Sequence, residues 1–248
     1  MKIPINFAHR GASGCCPENT LAAFKKALEL GATGIETDVQ LTKDGRIIVI
    51  HDESLSRTTG LSKLVKDTDY EELASLDAGS WYASAFHAER IPTLEQLLEL
   101  LQPTGVILNI ELKNGVILFP GIEHKVIEMV RAYQMTDRVI LSSFNHYSLV
   151  LCKQLAPEIR TGLLYIEGLY RPWDYAAAVQ ADALHAYKYA VTPEWIAEAS
   201  ARGIGYHPFT VNDADEMEQL LDAGAAGIIT DFPDRLAEVL TRRGVQAE

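Results

Sequence analysis

Eight short β-rich apolar runs recur along the chain, each followed by a stretch with helical spacing, and this alternation restricts the fold more than any other feature. The runs cover residues 3–8, 34–41, 106–112, 138–143, 161–164, 183–185, 204–211 and 227–230, and helices are predicted over 19–30, 93–101, 122–133, 146–155, 173–179, 193–202, 213–223 and 233–243. Strands that alternate with helices form a parallel sheet, because a parallel connection needs a crossover long enough to hold a helix. Eight such units predict closure into a (β/α)8 barrel, and 248 residues fits the usual size of about 250. The expected fold is therefore α/β, a single TIM barrel domain over residues 1–248.

Two segments break the repeat. Thr42-Lys43-Asp44-Gly45-Arg46 joins the second run to Ile47-Ile48-Val49-Ile50-His51, a connection too short for a parallel crossover. It predicts a hairpin turning at Asp44-Gly45, which would fold His51 back beside Asp38. Residues 53–90 then show little periodicity and read as a small insertion over the C-terminal face of the barrel, a lid or substrate wall. Its stripe of Trp81, Tyr82 and Phe86 has two readings: first the insertion's own small core, and otherwise a lining for the alcohol side of a substrate.

Charge and cysteine usage narrow the partners. Acidic residues outnumber basic ones 34 to 22, a net charge of -12, so the molecular field repels polyanions; nucleic acid and anionic membranes are poor partners. Cys15 and Cys16 are adjacent and Cys152 stands alone, which makes neither a disulfide framework nor a spaced zinc site. No run approaches the length of a membrane span and no signal sequence is evident, so the expectation is a cytoplasmic protein without stable membrane association, monomer or homodimer.

Chemistry in a parallel barrel gathers at the C-terminal strand ends. There the sequence places His9-Arg10-Gly11, Glu36-Thr37-Asp38, His51-Asp52 and Glu111-Leu112-Lys113. Alternation along a strand points Glu36 and Asp38 the same way, and likewise Glu111 and Lys113. Three converging carboxylates repel one another unless a hard cation joins them, and all-oxygen donors favour Mg2+ or Ca2+ over zinc. The flanking histidines suit acid and base work near neutrality.

In order and spacing, His9-Arg10-Gly11, Pro17-Glu18-Asn19-Thr20, Glu36-x-Asp38, Lys43-Asp44-Gly45, His51-Asp52 and Glu111-x-Lys113 resemble the glycerophosphodiester phosphodiesterase family. The resemblance continues through Ser142-Ser143-Phe144, Thr210-Val211-Asn212 and Thr230-Asp231-Phe232-Pro233, nearly the whole chain. It implies a barrel enzyme that hydrolyses glycerophosphodiesters such as glycerophosphocholine and glycerophosphoethanolamine to sn-glycerol 3-phosphate and an alcohol. It implies Glu36, Asp38 and Glu111 as ligands of one divalent cation, Mg2+ or Ca2+, and His9 and His51 as the acid and base pair. Arg10 and Lys113 would hold the phosphate, with His185 and Phe209 at further substrate positions. The resemblance also suggests attack by the glycerol 2-hydroxyl through a cyclic phosphate.

Plainer roles remain for several residues. Asn19 or Thr20 reads as the cap of the first helix, Asp231 as the cap of the last, and Asp52 as a structural acceptor. His87, His124, His146 and His207 have no partner motif and read as surface, cap or packing residues. Two other functions compete. A lysophospholipase D type activity on the same residues would need a large exposed apolar groove, and no amphipathic membrane-binding helix is evident. A non-catalytic metal- or phosphate-binding barrel would not need both histidines.

Overall fold

Alternating burial along the strands builds a barrel with two separate apolar regions, one inside and one between strands and helices. The computed structural model describes residues 3–245. Its strands are β1 (Ile5–His9), β2 (Gly34–Leu41), β3 (Ile47–Val49), β4 (Ile107–Leu112), β5 (Val139–Ser143), β6 (Arg160–Tyr165), β7 (Ala183–Ala186), β8 (Gly205–Tyr206) and β9 (Gly227–Thr230). Eight of them run parallel in the order β8-β7-β6-β5-β4-β2-β1-β9, with β3 paired antiparallel to β2. Backbone bonds from Ala226 N to Tyr206 O, Ile229 N to Pro208 O and Val211 N to Ile229 O, each 3.0 Å, carry the seam that brings the two ends together. The fold is the expected eight-stranded TIM barrel.

The helices are α1 (Leu21–Glu29), α2 (Ser56–Thr59), α3 (Tyr70–Ser75), α4 (Leu94–Leu101), α5 (Ile122–Ala132), α6 (His146–Leu155), α7 (Pro172–Ala178), α8 (Pro193–Ser200), α9 (Ala214–Asp222) and α10 (Pro233–Arg242). Local signals fix several starts. Thr93 and Gln96 close a reciprocal capping box at α4, Thr20 caps α1, and Asp213 accepts from the Asp215 and Glu216 amides at α9. Asp231 caps nothing: α10 starts at Pro233 after Phe232, without a side-chain cap.

Outward residues such as Ile35, Val39, Leu108 and Ile110 pack under the helices in the largest core cluster. Inward residues fill the barrel from below with Phe7, Ile140 and Ile229. The alternation leaves Glu36, Asp38, Asn109 and Glu111 facing inward at the upper end. Only two residues of the expected strand over 204–211 form a regular ladder, since Pro208 has no amide to donate; His207 and Phe209 still bond to the Leu184 and Ala186 carbonyls.

The hairpin turns where expected. Gly45, at φ 79°, donates to the Thr42 carbonyl, and Ile50 N donates to the Asp38 carbonyl at 3.0 Å. The insertion holds α2 and α3 over a small cluster of Ile48, Ile50, Leu55, Val65, Leu73, Ala78 and Ile91. Trp81 and Tyr82 are not its core. They are 40% and 37% exposed, and the Tyr82 hydroxyl donates to the Gly14 carbonyl at 3.0 Å, so aliphatic residues close to the hairpin take the packing role.

Candidate active site

Strand register assembles the acidic cluster. His9 lies level with Glu36 across β1 and β2, and Asp38 lies level with Glu111 across β2 and β4. Glu36, Asp38 and Glu111 are 4%, 1% and 8% exposed, and one carboxylate oxygen from each lies within 4.8 Å of the others. Burial, with repulsion from Asp38 and Glu111, pushes Glu36 well above the usual carboxylate range. Burial and Asp38 push Glu111 up to about 7. Asp38 is lowered: burial opposes its charge, but Arg10, His51 and Lys113 outweigh burial together with a hydrogen bond from Asn19 at 2.9 Å.

Three carboxyls brought this close disfavour one another's charged forms unless a cation joins them. Buried, oxygen-only and mutually within reach of one ion, the three side chains fit a hard divalent cation. The orphaned Oδ1 of buried Asn109, which lines the same cavity level with Glu36, adds a further oxygen without a partner.

Each histidine beside the cluster is held by an aspartate. His9 Nδ1 lies 2.6 Å from Asp231 Oδ1, leaving Nε2 at 4.0 Å from Glu36 Oε2. Asp231 also accepts from Ser13 Oγ at 3.0 Å and Asn212 Nδ2 at 2.6 Å. Burial works to raise Asp231, but these bonds, that of His9 first, hold it down at about 2. His51 Nδ1 lies 2.7 Å from Asp52 Oδ1, and Lys113 Nζ lies 3.3 Å from His51 Nε2. Burial lowers His51. The Arg57 hydrogen bond to Asp52, at 2.6 Å, holds that carboxyl near 2.

Two cations flank the cluster. Lys113 Nζ reaches Glu111 at 3.0 Å; burial opposes its charge, and Glu111 and Asp38 more than offset this, so Lys113 is raised. Arg10, in the left-handed region at φ 54°, donates its backbone N–H to Glu36 and its guanidinium to Glu18 Oε1 at 2.8 Å, with Nε 3.5 Å from Asp38. Glu18 also accepts two bonds from Arg57, at 2.7 and 2.8 Å. The segment read as a helix start thus does two jobs: Thr20 caps α1, while Glu18 fixes Arg10 and Asn19 fixes Asp38 and Thr37.

A cavity of about 270 Å3 opens over the cluster. His9, Arg10, Glu36, His51 and Glu111 form its polar side, and Phe144, Leu164, Ile166, Tyr187 and Phe209 form an apolar wall opposite. His185, expected at the substrate, is not part of it. It is fully buried inside the barrel, with Nε2 3.0 Å from His207 Nδ1 and its ring against Gly162. Burial pushes His185 well below its ordinary value and His207 down to about 3, so both stay neutral and serve packing.

Asp231, Glu18, Asn109, Asn212 and Arg57 were not assigned to the site from the sequence. A signal for Asp231 exists: closing the barrel makes the last strand the neighbour of the first, and β9 pairs with β1 up to Ala8↔Thr230.

Comparison with known proteins agrees with this geometry. Residues 9–235 match the model of the glycerophosphoryl diester phosphodiesterase family. A glycerophosphodiester phosphodiesterase of Caldanaerobacter subterraneus subsp. tengcongensis is 47% identical, covering 96% of this chain and 98% of the relative. One from Bacillus altitudinis is 46% identical, covering 94% and 96%. An Oleispira antarctica phosphodiesterase, solved in complex with the product sn-glycerol-3-phosphate, superposes with a TM-score of 0.89 at 32% identity, covering 96% and 97%. Sequence, barrel and cluster thus converge, and the chain belongs to the glycerophosphoryl diester phosphodiesterase family.

Proposed function

We propose that this chain hydrolyses glycerophosphodiesters to sn-glycerol 3-phosphate and an alcohol, using one divalent cation, Mg2+ or Ca2+, held by Glu36, Asp38 and Glu111. The observation that carries the reading is the pair of histidines, each tied by Nδ1 to an aspartate and each placed beside the buried three-carboxylate cluster. When bound, the cation supplies Lewis-acid stabilisation of charge on the phosphoryl oxygens.

His51 acts as the base. Asp52 takes its Nδ1–H, and the ammonium of Lys113 beside Nε2 marks that nitrogen as the unprotonated one. Burial lowers this imidazole, which keeps Nε2 free to take the proton of the attacking hydroxyl. His9, oriented by Asp231, delivers a proton from Nε2 to the leaving oxygen. Arg10 and Lys113 supply positive charge for the phosphate, held in place by Glu18 and Glu111. Phe209, with its apolar neighbours, faces the organic part of the substrate and excludes water.

Among the described residues no helix is long and apolar enough to cross a membrane. Three free cysteines suit a reducing compartment, and we place the enzyme in the cytoplasm. The test is glycerol 3-phosphate release from glycerophosphocholine by purified protein, with EDTA and after adding back Mg2+ or Ca2+ separately. Release that EDTA stops and one cation restores is expected; no release with either cation overturns the reading.

A further inference from the structure

One side chain of the insertion over 53–90 reaches both halves of the site. Leu55, fully buried in the insertion's own cluster, anchors the single turn of α2, and Gly60 closes that turn at φ 77°. Arg57 projects from it. Its Nε donates to Asp52 Oδ2 at 2.6 Å, and its two terminal nitrogens donate to Glu18 Oε2 at 2.7 Å and Oε1 at 2.8 Å. Each of those carboxylates already holds a group that lines the cavity: Asp52 Oδ1 lies 2.7 Å from His51 Nδ1, and Glu18 Oε1 accepts from Arg10 at 2.8 Å. Five side chains therefore run without a break from an imidazole of the site to a guanidinium of the site, His51–Asp52–Arg57–Glu18–Arg10, with Arg57 in the middle.

The Arg57 side chain is 40% exposed, and a lone ion pair that open to solvent contributes little, because screening and side-chain entropy offset the attraction. A guanidinium fork that meets one carboxylate with two bonds and a second carboxylate with a third is more constrained than a lone pair. The Trp81 ring adds a face to it, with its centroid 5.6 Å from Arg57 Cζ. Two further tethers hold the insertion to the same stretch of chain: the Tyr82 hydroxyl donates to the Gly14 carbonyl at 3.0 Å, and Glu89 Oε2 accepts from the Ala22 amide, in the first turn of α1, at 3.2 Å. Among the described residues, none that lines the cavity belongs to 53–90, so the insertion touches the site through these outer bonds.

We infer that Arg57 is a positioning residue that fixes His51 and Arg10 relative to one another through Asp52 and Glu18, and that the insertion is a brace for this pair. The inference rests on the phosphodiesterase reading and deepens it. Among the described residues Arg57 is the one side-chain donor to Asp52 Oδ2, and without it Glu18 is held by Arg10 alone. Both carboxylates then exchange rotamers against solvent, and the imidazole and guanidinium they hold move with them. A displacement of about 1 Å at a reacting group lowers a rate by about 10²-fold.

The experiment is a set of double-mutant cycles on glycerophosphocholine hydrolysis at saturating cation, with kcat and KM read separately. Asp52 serves the base and Glu18 serves the phosphate contact, so Asp52→Asn should chiefly lower kcat and Glu18→Gln should chiefly raise KM; Arg57→Met should do both, each by about 10- to 10²-fold. Added to Asp52→Asn, Arg57→Met then changes KM with little further loss of kcat; added to Glu18→Gln, it lowers kcat with little further rise in KM. A loss by the same factors in every background marks general damage to α2 and overturns the inference, as do constants for Arg57→Met within about twofold of the parent. Arg57→Lys keeps the charge and the stem but lacks the fork, so it should melt with the parent and still lose the linkage, and it carries the same cycles where Arg57→Met does not fold. Parent-like kcat and KM in Arg57→Lys show that charge alone suffices and also overturn the bracing role. An inactive parent with both Mg2+ and Ca2+ sinks the phosphodiesterase reading itself, and the inference falls with it; an active parent with additive variants overturns the inference alone.

Discussion

Replacing Asp231 with Asn tests how the first histidine is oriented. In the parent, Asp231 Oδ1 takes His9 Nδ1 and Ser13 Oγ, and Oδ2 takes Asn212 Nδ2. An asparagine has one acceptor oxygen and one amide, so either orientation sets an NH2 against a donor: the imidazole N–H on one side or the Asn212 amide on the other. If the amide faces His9, the neutral ring must move its proton to Nε2. A charge-assisted hydrogen bond contributes about 1.5–3 kcal/mol, which at about 1.36 kcal/mol per decade is a fall of one to two decades in kcat. Asp231 does not belong to the carboxylate cluster, so cation affinity should stay within about twofold of the parent. Steady-state kinetics with saturating cation, alongside calorimetric cation binding, separates the two effects. A kcat within about twofold of the parent would refute the orienting role; a parallel loss of cation affinity would show that Asp231 acts on the carboxylates and not through His9.

Other expectations follow from the same geometry. Glu36→Gln should weaken cation binding and turnover together, whereas His51→Ala should lower kcat by about 10²- to 10⁴-fold and spare cation affinity, since the imidazole makes no bond to a carboxylate of the cluster; full turnover in His51→Ala would remove it from the reaction. Asp52 and Asp231 both sit near 2 in the folded chain against 3.8 ordinarily, so the stability they contribute is complete above about pH 4 and is lost as pH falls toward 2. For Asp231 the shift is worth about 2 kcal/mol, and urea melts of parent and Asp231→Asn should converge by roughly that amount between pH 6 and pH 2; curves that stay parallel contradict the assignment. Gly162→Ala would drive a Cβ into His185 Nε2, which His207 blocks from retreating, so thermal melts should show a loss of about 1–3 kcal/mol.

What could be read from the chain was whatever depends on period and register. Eight strand–helix units, the hairpin at Asp44-Gly45 and the inward direction of Glu36, Asp38 and Glu111 all follow from counting residues along strands. His185 shows where the count runs out: alternation says it points inward, but its height in the barrel depends on the stagger of β7 against its neighbours, which no local pattern encodes. Glu18 and Asn19 escaped assignment for another reason. Their contacts with Arg10 and Asp38 need the left-handed backbone at Arg10 and Asn19, a loop shape set by tertiary packing. Arg57 lies in the aperiodic insertion, and only the folded structure brings it to Glu18 and Asp52. The Trp81-Tyr82-Phe86 stripe misled because aromatic spacing signals burial only where a partner surface exists, and the small aliphatic cluster beside the hairpin had already filled that role.

The charge pattern of the site explains how so acidic a chain can take an anionic group. Glu36, Asp38 and Glu111 face Arg10 and Lys113, which leaves one net negative charge in a buried pocket and forces Glu36 and Glu111 upward. A divalent cation reverses that to one positive charge, matching the single negative charge of a phosphodiester. The same three carboxylates are thus unfavourable neighbours alone and a complementary cradle once charged with metal. The apolar wall opposite them sharpens the effect, because apolar side chains lower the local dielectric across which the charges act. The molecule's overall repulsion acts through solvent and is screened within about 10 Å, so substrate recognition is decided inside the barrel mouth and not by net charge.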